Sequence, residues 1–232
     1  SCGMKISWWP IEMWALSSTS SLPARRSGCQ LWPEAVPLAI GIDDLYARLM
    51  TQATGMGNDG AFAAMIATRG AGGGALPPWL GLERLTCLRL LDYHFPGLGT
   101  RTLPLVLKGL ATHGPGWRPG PDRRQAERQD LIDLMLAHRG GGSPSELWMA
   151  AVVAAGCMGG DHLWEDLGLK RRPELTELMR RNFPTLAARN VRDMKWKRFL
   201  YKQLCEAEGI HACRAPSCEV CADYHVCFSP DH

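Results

Sequence analysis

The sequence contains no long hydrophobic run. Its most apolar stretch, Leu147 to Met158, falls well short of the roughly 18 to 20 residues that a membrane-spanning helix needs. Even so, 46% of its 232 residues are hydrophobic, which is sufficient to bury a sizeable core. We therefore expect a globular protein that does not span a membrane.

The sequence also has none of the short motifs that mark the common enzyme classes. It lacks the GxxxxGKS or GxxxxGKT phosphate-binding loop, the HExxH metalloprotease helix and the GxSxG nucleophile turn. Its His, Asp and Ser residues show no spacing that indicates a catalytic triad. We therefore predict that the protein is not an enzyme in the usual sense.

The N-terminus resembles a secretory signal peptide only superficially. Lys5 precedes a short apolar run, yet Pro10 and Glu12 interrupt that run and its tryptophan content is unusual. We predict that residues 1–38 are a poorly ordered or non-native segment. Residues 39–232 are then expected to form a single helical domain.

The nine cysteines fit poorly with a disulfide framework, because their number is odd and four of them are crowded into one short segment. Cys87 and Cys157 stand among apolar residues, where a buried and inert thiol is the usual explanation. This usage favours a reducing compartment, and we expect the protein to be cytoplasmic.

Apolar residues recur at helical spacing along most of the chain, so we predict an all-α fold. Helices are expected from Asp43 to Ala53, Asp59 to Thr68 and Trp79 to His94, with a flexible joint at 70–78. Another is expected within 121–142 after the turn-rich connection 112–122. TLPLVL at 102–107 is the only plausible strand, although Pro104 interrupts it.

The most apolar helix follows a strong start signal. Ser143, Pro144 and Glu146 predict a capping box with proline at the first helical position. The residues that follow, ELWMAAVVAAGCM, are apolar nearly all round. We expect this to be the central buried helix.

Positive charge is concentrated near the C-terminus, although the whole chain carries only +3. A helix predicted from about Val191 to Glu208 places Trp196, Leu200 and Leu204 on one side. The opposite side carries a basic stripe, which consists of Lys195, Arg198 and Lys202. The stripe is either a solvated helix face or a docking surface for an anion or an acidic partner.

The four crowded cysteines follow that helix with the spacing Cx4Cx2Cx5C. We call Cys213, Cys218, Cys221 and Cys227 the cysteine motif. A CxxC pair suits tetrahedral zinc, and short cysteine runs also bind iron–sulfur clusters. The spacing alone leaves both metals open.

Two stretches carry a resemblance to a known family. MKWKRFLYKQLCEAEGIHACRAPSCEVCADYHVCFSP resembles the C-terminal signature of the NifQ family of nitrogenase-maturation proteins, and the cysteine motif matches the family's motif position by position. DHLWEDLGL at 161–169 is also similar to that family. The resemblance covers about residues 120–232, and the part before it only weakly.

The resemblance implies a carrier that binds a molybdenum–iron–sulfur cluster and delivers molybdenum for the iron–molybdenum cofactor of nitrogenase. It implies residues 205–232 as the cluster-binding loop and tail, with the cysteine motif as ligands. The cluster would be built from an iron–sulfur precursor of the 3Fe-4S or 4Fe-4S type. The resemblance implies the assembly proteins NifEN and NifH as partners. It implies no binding to nucleic acid or to a membrane.

Molybdenum accepts more ligands than iron, so a further donor is expected near the cysteine motif. Cys205, His211 and His225 are the candidate ligands. His162 is a weaker candidate, for which we favour a structural role. We expect Asp161 to cap the helix after it. The alternative interpretation is a zinc-stabilised helical protein that binds nucleic acid or a protein partner through its basic helix.

Overall fold

The computed structural model describes residues 41–112 and 123–207. Ten α-helices and one 3-10 helix, at Pro78–Gly81, make up this part of the chain, which contains no β-strand, so the predicted all-α class is confirmed. The α-helices are α1 Ile42–Met50, α2 Asp59–Gly70, α3 Arg84–His94, α4 Leu103–Ala111, α5 Arg123–Leu136, α6 Pro144–Cys157, α7 Leu163–Asp166, α8 Arg172–Asn182, α9 Pro184–Ala187 and α10 Trp196–Ala207. None of the described helices is both long enough and apolar enough to cross a bilayer. The prediction for residues 1–38 lies outside the described residues, as does that for the connection 112–122 beyond its first residue.

Helix α6 is the centre of the core, as its apolar sequence predicted. Residues all round it are buried, and it packs against α5, α7 and the 3-10 helix. Ser143 caps its start by accepting a hydrogen bond from Ser145 N at 3.2 Å. The capping box is only half formed, because the Glu146 carboxylate turns back to accept from Gly141 N at 3.1 Å.

Helices α2 and α4 cross at an unusually short distance. A Cβ atom built on Gly109 would lie 2.5 Å from the Cα of Gly70, so no larger residue fits at position 109 without separating the helices. The absence of a side chain at Gly109 lets α4 lie directly on the end of α2, where Val106 and Leu110 join the core.

The strand predicted at 102–107 is wrong, because these residues begin α4. Pro104 lies in the first helical turn, where the missing N–H costs nothing since it would have no partner within the helix. The helix predicted from Trp79 begins instead at Arg84. Trp79 and Leu80 have φ angles of 57° and 59°, and this turn buries Leu80 completely without extending the helix.

The helix predicted from Val191 begins at Trp196, because the preceding residues form a turn. Asn190 closes it through its side chain, whose oxygen accepts from Met194 N at 2.8 Å. Asp193 has a φ of 48°, and Arg172 donates to its carbonyl at 2.6 Å and its carboxylate at 2.8 Å. The turn therefore ties the start of α10 to the start of α8.

Candidate functional site

The cysteine motif, His211 and His225 lie outside the described residues. The structure does describe the helix that leads to them, α10, together with Cys205, His162 and the basic stripe. Within 41–112 and 123–207, no three His, Cys, Asp or Glu side chains form a group that could hold a metal ion.

One side of α10 is packed into the core as predicted. Trp196 and Leu200 are buried, and Leu204 is half-buried. Trp196 also meets Phe199 edge-to-face, with ring centroids 5.6 Å apart, and donates through Nε1 to Thr176 Oγ1 at 3.1 Å. Both aromatic rings are thus used for packing, as the sequence indicated.

The basic stripe lies away from this packed side. Lys195 and Lys202 are exposed, while Arg198 is half-buried. Lys202 Nζ lies 3.6 Å from Oε1 of Glu206, one turn later on the same helix. A role of the stripe in docking stays a prediction.

Lys197 attaches α10 to the segment around α7, although sequence reasoning did not single it out. Its Nζ donates to the carbonyl oxygens of Gly159 at 2.9 Å and Asp161 at 2.6 Å, and to the carboxylate of Asp166. Asp166 is 1% exposed. Burial raises the pKa of Asp166, and the Lys197 ammonium opposes that rise. This Lys197 anchor joins the two stretches that carry the family resemblance.

His162 begins α7 as its N-cap residue, so the prediction that Asp161 caps this helix is wrong. The His162 N–H donates to the Glu165 carboxylate at 3.1 Å, and its side chain is exposed at the helix start. Asp161 contributes its carbonyl oxygen to Lys197 instead. The structure thus gives His162 a local structural role, and metal binding by it stays a prediction.

A second attachment joins α10 to α5. The Tyr201 hydroxyl donates to the Glu127 carboxylate. Burial raises the pKa of Tyr201, assisted by Cys157 and Glu127, so the hydroxyl keeps its proton. Cys205 is buried one turn later on the same face, so the last turns of α10 run beside α5 before the cysteine motif begins.

Two thiols predicted to be inert are buried and free. Cys87 and Cys157 are 0% exposed, and burial raises the pKa of each thiol to about 12. Because the thiolate is the reactive form, we expect neither to react with iodoacetamide in the native protein at about pH 8. Peptide mass spectrometry should find both unlabelled before denaturation and labelled after it. Native labelling within minutes would contradict their burial.

A buried polar network joins four helices that are far apart in the sequence, namely α2, α3, α6 and α8. His94 Nδ1 lies 2.6 Å from Asp59 Oδ1, and His94 Nε2 lies 3.0 Å from Ser145 Oγ. Asn58 Nδ2 donates to Ser145 Oγ at 2.9 Å and to Asn182 Oδ1 at 2.6 Å. All five side chains are at most 6% exposed.

Ser145, His94 and Asp59 have the connectivity of a catalytic triad, which the sequence spacing did not indicate. However, His94 is 0% exposed and lies among the rings of Phe62 and Trp148. Ser145 Oγ already accepts from Asn58, so an incoming substrate would have to displace a buried hydrogen bond. We interpret the network as a means of holding α2, α3, α6 and α8 together.

Arg69, near the end of α2, is an anomaly in the described part of the chain. It is 1% exposed, and none of its three guanidinium nitrogens has a hydrogen-bond partner there. Burial lowers the pKa of Arg69, because removal from water is unfavourable for the charged guanidinium.

We expect Arg69→Met to raise the free energy of unfolding by about 1 to 4 kcal/mol, because a flexible apolar chain replaces a buried unpaired charge. Urea unfolding monitored by circular dichroism measures this change. Arg89→Met is the matched control, since Arg89 is exposed and its loss should change stability by less than about 0.5 kcal/mol. A destabilised Arg69→Met variant would mean that the guanidinium has a partner in solution.

Comparison with known proteins places the chain among nitrogen-fixation proteins. The family model described as NifQ matches residues 61–229, which include α10 and the cysteine motif. Protein NifQ of Azotobacter vinelandii is 47% identical over 157 residues, which cover 67% of this chain and 80% of that protein. Protein NifQ of Rhodobacter capsulatus is 38% identical over 161 residues, or 69% of this chain and 82% of that protein. No solved structure matches.

Proposed function

The chain belongs to the NifQ family, and from this membership we propose that it carries a molybdenum–iron–sulfur cluster and delivers molybdenum to the nitrogenase cofactor. The family is linked to nitrogenase cofactor biosynthesis. The observation that carries the finer proposal is the cysteine motif, whose four thiols all lie within the family match. The cluster is cargo, acquired and then passed on.

The donor set suits such a cargo. Each iron of a cubane needs one outer thiolate to complete its tetrahedron, so three irons and one molybdenum use three cysteines and leave one spare. Molybdenum accepts further ligands, and an exchangeable one makes the metal easier to release. We propose Cys205, His211 or His225 for that exchangeable position.

Delivery requires that the cargo be presented to other proteins. The Lys197 anchor and the Tyr201 hydrogen bond hold α10, the last described helix before the cysteine motif in the sequence, on the core. We propose that the basic stripe of Lys195, Arg198 and Lys202 docks acidic surfaces of NifEN and NifH. The protein would act in the cytoplasm as a carrier, not as an enzyme, and without nucleic acid.

Metal analysis of protein purified without oxygen tests this proposal. Iron, acid-labile sulfide and molybdenum are measured on one sample together with its visible absorption spectrum. A brown protein with iron and sulfide, and with molybdenum after loading, is the expected result. One zinc per chain in a colourless protein would overturn the proposal and favour the zinc-stabilised alternative.

Cysteine variants make the test specific to the motif. Cys218→Ser and Cys221→Ser are expected to lose most of the iron and sulfide, because each removes one cluster thiolate. Cys87→Ala is the control, since it removes a buried thiol from α3 and should keep the full metal content. Equal metal loss in all three variants would indicate unfolding instead of ligand loss, and full retention in the motif variants would contradict the assignment.

A further inference from the structure

The turn before α10 presents an apolar side chain to solvent. Val191 is 85% exposed, and the next most exposed large hydrophobic side chain in the described part of the chain, Leu85, is 69% exposed. Ala188 is exposed as well, and Met194 is half-buried. We call residues 188–194 the valine turn. Because a single exposed hydrophobic side chain is ordinary on a protein surface, its support and its surroundings decide whether it has a role.

The valine turn is closed by its own polar groups. The Asn190 side chain accepts from Met194 N at 2.8 Å and donates to Met194 O at 3.1 Å, which fixes both ends of the loop that contains Val191. Asp193 keeps a φ of 48°, a left-handed conformation that costs free energy for a residue other than glycine. Arg172 offsets this cost through its hydrogen bonds to Asp193. A side chain on a backbone fixed in this way loses little conformational entropy when a partner covers it.

Positive charge in the valine turn is not matched by negative charge. Arg189 and Arg192 are both exposed. Arg189 donates to the neutral amide of Gln203 at 3.4 Å, and within the described residues the Arg192 side chain has no hydrogen bond or ion pair. The turn contains one carboxylate, that of Asp193, which already pairs with Arg172 at 2.8 Å.

The surplus of positive charge continues onto α10. Gln203 donates to the Glu206 carboxylate at 2.6 Å, and the same carboxylate lies 3.6 Å from Lys202 Nζ. This carboxylate therefore serves both Lys202 and, through Gln203, the arginine of the turn. Lys195 follows the turn directly, so the exposed valine adjoins the basic stripe.

We propose that the valine turn is a docking site for a partner protein, in which Val191 enters an apolar pocket whose rim carries Asp and Glu side chains. The inference rests on the proposed function, because the partner is a protein that receives the cluster from this chain. Protein interfaces combine an apolar centre, which resists dissociation, with a polar rim whose complementary charges speed association. Nucleic acid is bound mainly through its phosphates, to which an exposed valine contributes nothing, so the turn fits a protein surface better.

Binding kinetics of the full chain, purified without oxygen, test the docking site. NifEN and NifH, immobilised separately, are the probes, and surface plasmon resonance gives association and dissociation rates at several salt concentrations. We expect Val191→Ser to raise the dissociation constant for at least one probe about tenfold, mainly through faster dissociation, because a polar side chain replaces a buried apolar one. Val191→Ile keeps the apolar side chain and should bind within about threefold of the unmodified protein.

Arg189→Gln/Arg192→Gln should act on the other rate. Loss of the charged rim slows association and weakens its dependence on salt concentration, while dissociation changes little. Two controls match these variants. Leu85→Ser removes an exposed hydrophobic side chain from α3, and Arg89→Gln/Arg101→Gln removes the same charge from two exposed arginines outside the turn. Neither control should change the dissociation constant by more than about twofold.

The outcomes separate the docking site from the proposed function. Unchanged dissociation of Val191→Ser, or an equal change in Leu85→Ser, overturns the docking site, while iron, sulfide and binding by the unmodified protein leave the carrier proposal intact. Binding of a single-stranded oligonucleotide that is lost in the arginine variant, with recipient binding unaffected by Val191→Ser, overturns it in favour of a nucleic-acid surface. An unmodified protein with iron and sulfide that binds neither probe also overturns the docking site, whereas one without iron and sulfide overturns the carrier proposal and the docking site with it.

Discussion

Asp59→Ala is expected to lower the free energy of unfolding by about 3 to 5 kcal/mol, because it strands several buried hydrogen-bond donors at roughly 1 to 3 kcal/mol each. Asp59 accepts three hydrogen bonds, from His94 Nδ1 at 2.6 Å, Gly55 N at 2.8 Å and Met56 N at 2.7 Å. Alanine leaves these three donors without an acceptor. The two backbone N–H groups lie just before α2, so the start of that helix loses its support.

The effect reaches further because the hydrogen bonds form a chain. With His94 Nδ1 donating to Asp59, Nε2 is left to accept the hydroxyl proton of Ser145, whose oxygen accepts from Asn58. Asn58 and Asn182 then exchange a pair of hydrogen bonds. Without the carboxylate, the imidazole tautomer that satisfies the chain is no longer selected.

Urea unfolding monitored by circular dichroism measures the loss of unfolding free energy. An unchanged slope of this free energy against urea concentration would show that the unfolded state is the same. Asp44→Ala is the matched control, because Asp44 is an exposed acidic residue in the first turn of α1 that pairs with Arg48 at 3.1 Å. It should cost less than about 1 kcal/mol. A loss below about 1 kcal/mol for Asp59→Ala would show that the network contributes little.

Local signals account for the elements that the sequence predicted well. Helix α6 begins at Pro144 and α5 ends at Leu136 before a glycine run, as their caps and breakers indicated. The strand prediction failed at α4 because, over so short a stretch, its Leu and Val residues fit the hydrophobic period of a helix as well as that of a strand. The packing of α4 against α2 decides between them, and this packing depends on Gly109, which contacts the backbone of Gly70, 39 positions earlier in the sequence.

The contacts that hold the site could not be predicted from spacing, because their partners are far apart in the chain. Asn58 and Asn182 are 124 positions apart, and Lys197 and Asp166 are 31 apart. In a segment rich in lysine and arginine, nothing local distinguishes Lys197 from the cations of the basic stripe. The cysteine motif and the helix before it, in contrast, form one continuous stretch that resembles the NifQ family, and the comparisons confirmed that family.

Lys197→Met is expected to cost about 3 to 5 kcal/mol at neutral pH, because it leaves the carboxylate of Asp166 buried and unpaired. Asp166 Oδ1 already has no hydrogen-bond partner in the described part of the chain. Lys197 supplies the one charged donor to the other oxygen, and its removal also frees the carbonyls of Gly159 and Asp161. The start of α10 thereby loses its attachment to the segment before α7.

The cost should depend on pH. Burial raises the pKa of Asp166 in the folded protein above its ordinary value, and removing Lys197 raises it further. Below the pKa of the unfolded state, Asp166 is protonated in both states and contributes no penalty. As pH rises towards the folded-state pKa, only the unfolded state loses its proton, so the variant becomes progressively less stable. Unfolding free energies measured from about pH 5 to about pH 8 should diverge from those of the unmodified protein.

Two further variants test whether loss of the Lys197–Asp166 pair causes the destabilisation of Lys197→Met. Lys170→Met removes a lysine whose partner Asp43 is exposed, and it should change stability little at any pH. Lys197→Met/Asp166→Leu removes the stranded carboxylate, so it should be more stable than Lys197→Met alone and lose the added pH dependence. If the double variant is as unstable as the single one at every pH, the two carbonyl contacts of Lys197 hold α10, and the buried charge pair does not.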